Sequence, residues 1–456
     1  MINRVKHVHF VGIGGCGMSG IAEILLKSGY KVSGSDLSQS SVTTRLQELG
    51  ITVYKGHSKH NITGADVVVY SSAVKQDNPE LVEAHEHHVP VLRRAEMLGQ
   101  LMRMKFSVAV AGTHGKTSTT SIVGKLLSDG GFDPSIIVGG VAKRTETGAV
   151  MGASNYMVVE ADEFDRSFLK MPPSIAVMTT LESEHLDCYK DLDDIKDAFV
   201  GFAEQVPFFG CTILCIDEPT LLSIIPRLRK NVVITYGFSA QADYRCVDRV
   251  FTGTGSRFKV EHRGEILGSV ELNVPGDHNV KNAMAGISVA FEMGMPFEKI
   301  AQSLKSFENM RRRFEIKGEK KGIMIVDDYA HHPTEIKATL QAAKDTYGRR
   351  VIALFQPHLY TRTRDFYRDF GSSFINADML IVTDVYASRE MPIEGVSGQL
   401  VADAAIEFGH RKVKYIPDRK EILKYVKGKM VEGDVIITLG AGDIWKTGEE
   451  ILEVIA

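Results

Sequence analysis

Short runs of apolar, β-branched residues alternate with longer stretches whose apolar positions recur at helical spacing, and this alternation continues through most of the chain. Val5 to Val11 predicts a strand, Met18 to Ser28 a helix, Lys31 to Ser35 a strand, Ser41 to Leu49 a helix and Val67 to Tyr70 a strand. Asn78-Pro79 opens another helix with a capping side chain and a proline at the first helical position. A second series begins near Phe106, with strands predicted at Val108–Ala111, Met157–Glu160, Ile175–Thr179, Thr212–Ile216 and Val232–Thr235. Residues 242–274 change to short alternating runs broken by Gly253, Gly255, Gly264 and Gly268, the pattern of antiparallel strands. Helices at Val280–Met293 and Pro296–Leu304 follow. A third series has strands at Met324–Val326, Val351–Phe355, Met379–Thr383 and Val435–Leu439. Strands alternating with helices predict parallel sheets, and three such series in 456 residues predict three α/β domains, at 1–105, 106–313 and 314–456.

Composition narrows the function classes. Hydrophobic residues at 44% and charged residues at 24% describe a globular protein, and a net charge of −3 offers no basic excess for nucleic acid or an anionic membrane. The patch Lys317 to Lys321 is short and interrupted, as in a solvated turn. The five cysteines are scattered without a paired metal-ligand spacing, which favours reduced thiols in a cytoplasmic protein. The start of the chain enters a strand directly, and no apolar run is long enough to span a bilayer.

Chemistry gathers where predicted strands end. Val108-Ala109-Val110-Ala111 runs into Gly112-Thr113-His114-Gly115-Lys116-Thr117-Ser118. Glycines let backbone N–H groups turn toward a phosphate chain, Lys116 adds charge near its end, and Thr117 offers a hydroxyl to Mg²⁺. Strict phosphate-loop spacing would put glycine where Val110 stands, so the loop is a compact variant. An earlier loop, Gly12-Ile13-Gly14-Gly15-Cys16-Gly17-Met18-Ser19-Gly20, matches G-x-G-x-x-G, and Asp36 closes the next strand. That pattern reports a diphosphate at a helix start and leaves NAD and a nucleotide sugar equally open.

Four further sets carry candidate groups. Glu160 ends a strand where a carboxylate can hold Mg²⁺, whereas Asp162, Glu163 and Asp165 fit a solvated turn. His185 follows the strand at Ile175–Thr179, at an edge where ligands bind. In Pro275-Gly276-Asp277-His278-Asn279-Val280-Lys281-Asn282, Asp277 or His278 can cap the helix, and Asn279 and Asn282 share one face of its first turn. Arg311-Arg312-Arg313 fits either surface charge or delivery of a cation to phosphate. Asp327-Asp328-Tyr329-Ala330-His331-His332-Pro333 and Phe355-Gln356-Pro357-His358-Leu359-Tyr360-Thr361-Arg362-Thr363-Arg364 follow strands in the third series. Arg362 is a candidate for a substrate carboxylate, and Arg364 for a solvated helix face.

Taken in order, the two glycine loops, Glu160-Ala161-Asp162-Glu163, His278-Asn279-Val280-Lys281-Asn282-Ala283, Arg312-Arg313-Phe314 and Asp328-Tyr329-Ala330-His331-His332-Pro333 resemble the Mur ligases of bacterial cell-wall synthesis. The resemblance covers essentially the whole chain and is strongest to the branch that adds L-alanine. It implies a Rossmann-like N-terminal domain, a central P-loop ATPase domain with a small antiparallel β element, and a Rossmann-like C-terminal domain. It implies UDP-N-acetylmuramate, L-alanine and ATP as partners, Mg²⁺ or Mn²⁺ as the metal, and a monomer or homodimer. Carried over, Gly112 to Ser118, Asn279, Asn282, Arg313 and Asp328 meet ATP, and Thr117, Glu160 and His185 serve the metal. Gly12, Gly14, Gly15, Cys16, Gly17, Asp36 and Ser71 meet the UDP-sugar, and Tyr329, His331 and Arg362 form the amino-acid pocket. Lys116, Glu160, His185, Arg313 and His331 are the implied catalytic set. Several relatives carry a carbamylated lysine where Ala198-Phe199-Val200-Gly201-Phe202 stands, and some alanine ligases carry arginine at Leu359. The alternatives are a recycling ligase that attaches a tripeptide, a UDP-muramate-binding regulator without turnover, and an NAD-dependent dehydrogenase.

Overall fold

The computed structural model describes residues 5–71, 73–139, 149–184, 188–253, 255–388 and 390–455. Three sheets organise it. The first contains β1 (His7–Val11), β2 (Lys31–Asp36), β3 (Thr52–Lys55), β4 (Val67–Tyr70) and β5 (Val91–Arg93), in the order β3-β2-β1-β4-β5 and all parallel. The second runs through β6 (Phe106–Ala111), β7 (Ser135–Ile137), β8 (Ala149–Val150), β9 (Tyr156–Glu160), β10 (Ile175–Met178), β11 (Cys211–Cys215), β12 (Val232–Gly237), β13 (Tyr244–Thr252), β14 (Gly255–His262) and β15 (Glu265–Leu272). Its order is β15-β14-β13-β12-β11-β10-β6-β9-β7-β8. The third holds β16 (Glu315–Lys320), β17 (Ile323–Asp328), β18 (Val351–Phe355), β19 (Met379–Val382), β20 (Val413–Tyr415) and β21 (Val435–Leu439), in the order β16-β17-β21-β18-β19-β20. Only β16 runs antiparallel there.

Backbone contacts divide the chain into two compact units. Met1–Val247, Val260–Gly268 and Lys281–Ser303 form one, and Asp248–Lys259, Ser269–Val280 and Leu304–Ala456 form the other. The central strands of each sheet are fully buried, as continuous apolar runs covered by helices on both faces require. Strands β3, β5, β16 and β20, absent from the sequence expectations, are the four edges of the first and third sheets. Their residues are partly or fully exposed, so no apolar run marks them. Two glycines fix how the layers of the first unit meet. A Cβ on Gly99, in the helix Arg94–Arg103, would lie 1.9 Å from the Lys170 carbonyl, and one on Gly20 would lie 2.7 Å from the Ala149 side chain.

The first sheet buries a polar chain that the pattern of residues did not announce. Ser33 Oγ lies 2.7 Å from His7 Nε2 and 2.8 Å from His9 Nδ1, and His9 Nε2 lies 3.3 Å from the Glu80 carboxylate. Glu80 also accepts from Ser35 Oγ at 2.6 Å, Asn61 Nδ2 at 2.6 Å and Ser58 N at 3.1 Å. Burial works against its charge, and the hydrogen bonds from His9, Ser35 and Asn61 outweigh that, leaving its pKa below the ordinary 4.5. Burial also lowers the pKa of His7 from its ordinary 6.5.

Both shifts tie stability to pH with the same sign. A buried neutral His7 stabilises the fold above its unfolded value, and that contribution is lost as pH falls below about 6.5. The ionised Glu80 stabilises above about 4.5, and its contribution is lost as pH falls through its lower folded value. Urea melts should therefore show stability falling in two stages on acidification. Glu80→Ala, which strands several buried donors, should cost roughly 3 kcal/mol at neutral pH and remove the lower stage.

Candidate functional site

In the first unit the phosphate-loop residues are held by the neighbouring strand. Strand β6 hands the chain to Gly112, whose φ of +141° is open to glycine, and a Cβ there would lie 2.1 Å from Thr179 Oγ1. Thr113 N donates to the Thr180 carbonyl at 3.1 Å, His114 N to Thr180 Oγ1 at 2.7 Å, and Glu182 N to Thr113 Oγ1 at 2.9 Å. Gly115, at φ +82°, precedes the helix Lys116–Gly130, and a Cβ on it would meet Asn282 Oδ1 at 2.6 Å. Asn282 Oδ1 also accepts from Thr119 Oγ1 at 3.1 Å, so the amide is packed against the start of that helix. A helix start beside a lysine is an arrangement that suits an anion.

Lys116 Nζ donates to the Gly112 carbonyl at 2.7 Å and to both carboxylate oxygens of Glu163, at 2.9 and 2.8 Å. Burial pulls the ammonium toward a lower pKa, and Glu163, Asp162 and Glu160 outweigh it, so the net shift is upward and the lysine stays charged. Glu163 is only 3% exposed, which overturns its assignment to a solvated turn: the largely buried ammonium draws the carboxylate inward. Asp162 and Asp165 do fit a turn, with Asp162 Oδ1 accepting from Phe164 N and Asp165 exposed. Thr117 Oγ1 donates to Glu160 Oε1 at 3.0 Å, and Gly139 N donates to Glu160 Oε2 at 2.7 Å. A carboxylate and a hydroxyl side by side at the loop are the hard oxygen donors that suit Mg²⁺. His185 lies outside the described residues.

The earlier glycine loop sits at the carboxyl ends of β1, β2 and β4. Gly12 has φ +79°, with the Ser71 side chain 3.4 Å from where its Cβ would stand. Asp36 accepts from Gly14 N at 2.9 Å and from Ser38 N at 3.2 Å, so its carboxylate braces the loop. Gly15 and Gly17 flank the start of the helix Cys16–Lys27, and the Cys16 side chain lies outside the described residues. Arg94 was not anticipated: its guanidinium lies 3.1 Å from where a Gly17 Cβ would be. Arg93 and Arg94 also line a cleft of about 260 Å³ with Asp162, Asp165 and Arg166. Two adjacent arginines before a helix resemble ordinary surface charge in sequence, and only the sheet order brings them to the loop.

In the second unit, Asp328 is buried at the end of β17. Its oxygens accept from Phe314 N and Ala330 N, each at 2.7 Å. Burial pushes its carboxyl up to about 6, against the pull of Arg313 and those two donors. Arg312 donates to Asp327 at 3.0 Å and to the Gly442 carbonyl at 3.1 Å, so it ties strand ends together. Arg313 lies 3.6 Å from Glu335 and over the Tyr329 ring at 5.4 Å. His331 Nδ1 is 3.0 Å from the Tyr329 carbonyl and 3.3 Å from Glu335, and its ring is 6.1 Å from that of His358. His358 lies between β18 and the helix Tyr360–Gly371, where no local pattern marks it out. Burial, with Arg362 adding to it, lowers its pKa to about 4. Arg362 is half-buried on the helix Tyr360–Gly371, while Arg364 is exposed and pairs with Asp365 as expected. Asp277 does not cap its helix: Asn279 N and Val280 N bond to the Gly276 carbonyl, so Gly276 starts it, and Asp277 pairs with Arg249 at 2.6 Å. Asn279 Nδ2 donates to the Pro275 carbonyl at 2.8 Å.

Residues 7–106, 110–290 and 312–442 match three family profiles in order: Mur ligase family, catalytic domain; Mur ligase middle domain; and Mur ligase, glutamate ligase domain. The curated UDP-N-acetylmuramate–L-alanine ligase of Geotalea uraniireducens is 49% identical over 453 residues, covering 99% of each chain. That of Salinibacter ruber is 50% identical, covering 100% of this chain and 96% of its own. The chain belongs to the Mur ligase family. The crystal structure of the UDP-N-acetylmuramate–alanine ligase of Thermotoga maritima matches it with a TM-score of 0.80 at 28% identity, covering 99% of each chain. Membership in the Mur ligases resolves the first glycine loop against the dehydrogenase alternative. It also confirms the three-domain α/β architecture.

Gly115→Ala should destabilise the fold in urea unfolding by more than the about 1–2 kcal/mol that a left-handed backbone alone costs, because the new methyl group must also displace Asn282. Gly131→Ala, at the opposite end of the same helix, with φ +90° and open space around it, should show the backbone cost without the displacement.

Proposed function

We propose that this chain is an ATP-dependent ligase that joins L-alanine to the lactyl carboxylate of UDP-N-acetylmuramate through an acyl phosphate. The observation that carries the reading is the loop in which Lys116 Nζ and the Thr117–Glu160 pair, 3.0 Å apart, face the same helix start. The names of full-length relatives near 50% identity support the choice of substrates. Domain boundaries at 1–105, 106–313 and 314–456 are part of this proposal, in keeping with profile matches over 7–106, 110–290 and 312–442.

The chemistry follows from leaving groups. A carboxylate has no good leaving group, so its oxygen attacks the γ-phosphorus of ATP, the bond to ADP breaks, and a mixed anhydride forms. Negative charge grows on the transferred oxygens and on ADP, where Lys116 and the backbone amides at the start of the helix Lys116–Gly130 stabilise it, the Thr113 and His114 amides being held by Thr180. Glu160 and Thr117 would hold Mg²⁺, which supplies neutralising charge to the phosphates when bound. The neutral amine of alanine then attacks the acyl carbon, and phosphate leaves with the bonding pair. The amine must first lose a proton, and His331, oriented by Glu335 and the Tyr329 carbonyl, is the proposed acceptor. Arg362 would pair with the alanine carboxylate. The cleft lined by Arg93 and Arg94, with Arg94 against Gly17, supports a place for the substrate diphosphate.

Phosphate release should require ATP, UDP-N-acetylmuramate and L-alanine together. Release with a tripeptide and none with alanine would transfer the assignment to a recycling ligase. Lys116→Ala should lower kcat/KM by at least about 10²-fold while the protein stays folded. Glu160→Ala should stay impaired at saturating Mg²⁺; full recovery there would assign Glu160 an indirect role.

A further inference from the structure

We propose that Glu163 is a built-in counter-ion for Lys116, an internal anion that holds the lysine until a triphosphate takes its place. This rests on the reading of the loop as the ATP site. An ammonium group has three N–H donors. Here they face four oxygens: Gly112 O at 2.7 Å, Thr113 O at 3.4 Å, and the two Glu163 carboxylate oxygens at 2.9 and 2.8 Å. Every donor already has an acceptor. A phosphate oxygen can reach Lys116 only by exchange, and the carboxylate is the partner that can leave, because the two carbonyls belong to the loop itself.

The segment that carries Glu163 is separately constrained. Asp165 and Arg166, two and three positions on, have φ values of +50° and +60°, a left-handed pair without a glycine. Tyr189 Oη donates to the Glu163 carbonyl at 2.6 Å, and Arg166 N donates to the same carbonyl at 3.0 Å. The Arg166 guanidinium lies 4.7 Å from the Tyr189 ring centroid and pairs with Asp194. These contacts hold an unfavourable backbone in the shape that delivers the carboxylate to the lysine. The arrangement keeps a largely buried cation balanced when the loop holds no ligand, and it makes the self-paired state a competitor of the nucleotide. Apparent affinity for ATP is then lowered by the fraction of molecules whose lysine is released.

Glu163→Gln keeps the shape and removes the charge. Binding of ATP in EDTA, without sugar or amino acid, isolates the exchange from metal and turnover. The variant should bind ATP roughly tenfold more tightly than the parent. Its ligand-free melting temperature should fall, and the rise on adding ATP should grow. A residue that merely shapes the loop predicts the opposite sign. Unchanged or weaker binding by a folded Glu163→Gln protein would overturn the proposal. Should that variant fail to fold, Tyr189→Phe, which loosens the Glu163 segment from outside the loop, should tighten ATP by a smaller factor, and unchanged or weaker binding would again overturn it. Absence of ATP binding by the parent protein would instead remove the reading of the loop.

Discussion

A cation placed at the end of a buried strand must be compensated at every stage of the protein's cycle. Lys116 keeps only 14% of its side-chain exposure, and the surroundings answer that demand in layers. The loop carbonyl of Gly112 takes one donor, and Glu163 takes the others. Glu160 and Asp162 add negative charge around it. The same demand explains why the acidic stretch after β9 is not an ordinary turn. Removing an ion from water costs several kcal/mol unless a partner is fixed nearby, so the lysine and the acidic segment must be built together.

One geometric rule places the rest. In each sheet, the residues with chemistry follow the carboxyl ends of parallel strands: Gly12 after β1, Asp36 at the end of β2, Ser71 after β4, Gly112 after β6, Glu160 at the end of β9, Asp328 at the end of β17 and His358 beyond β18. Backbone N–H groups of the following helices open toward the same edge. The protein thus repeats one solution, a strand end followed by a tight loop or helix start, and varies the side chains that finish it. The glycine loops bring backbone N–H groups to that edge. At Asp328 the carboxylate instead spends both oxygens on backbone N–H groups and sets the path of the chain around Arg312 and Arg313.

Much of this was legible in the residues themselves. Buried strands announce themselves as apolar runs, and glycines followed by lysine or by a helix mark where backbone must turn toward a ligand. The edges β3, β5, β16 and β20 were not legible, because half-exposed strands share the composition of loops. Glu163 was misjudged for a related reason: its neighbours Asp162 and Asp165 are turn residues, and only the three-dimensional approach of Lys116 separates it from them. Arg94, His358 and the chain linking His7, His9, Ser33 and Glu80 depend on residues distant in sequence, which local patterns do not record. Asp277 failed as a cap because Gly276 begins the helix one residue earlier.

The four half-exposed edges have a consequence of their own. An open parallel sheet ends in a row of unsatisfied donors and acceptors that can recruit another molecule's strand. Here each such rim is three to six residues long and carries an outward cation: Lys55, Arg93, Lys320 and Lys414. The β16 rim is further broken by an irregular register between Ile316 and Gly318. Two identical rims brought together would oppose like charges over too few pairings to offset the repulsion. The same short, cationic borders that hid these strands from prediction therefore guard the folded chain against stacking into aggregates.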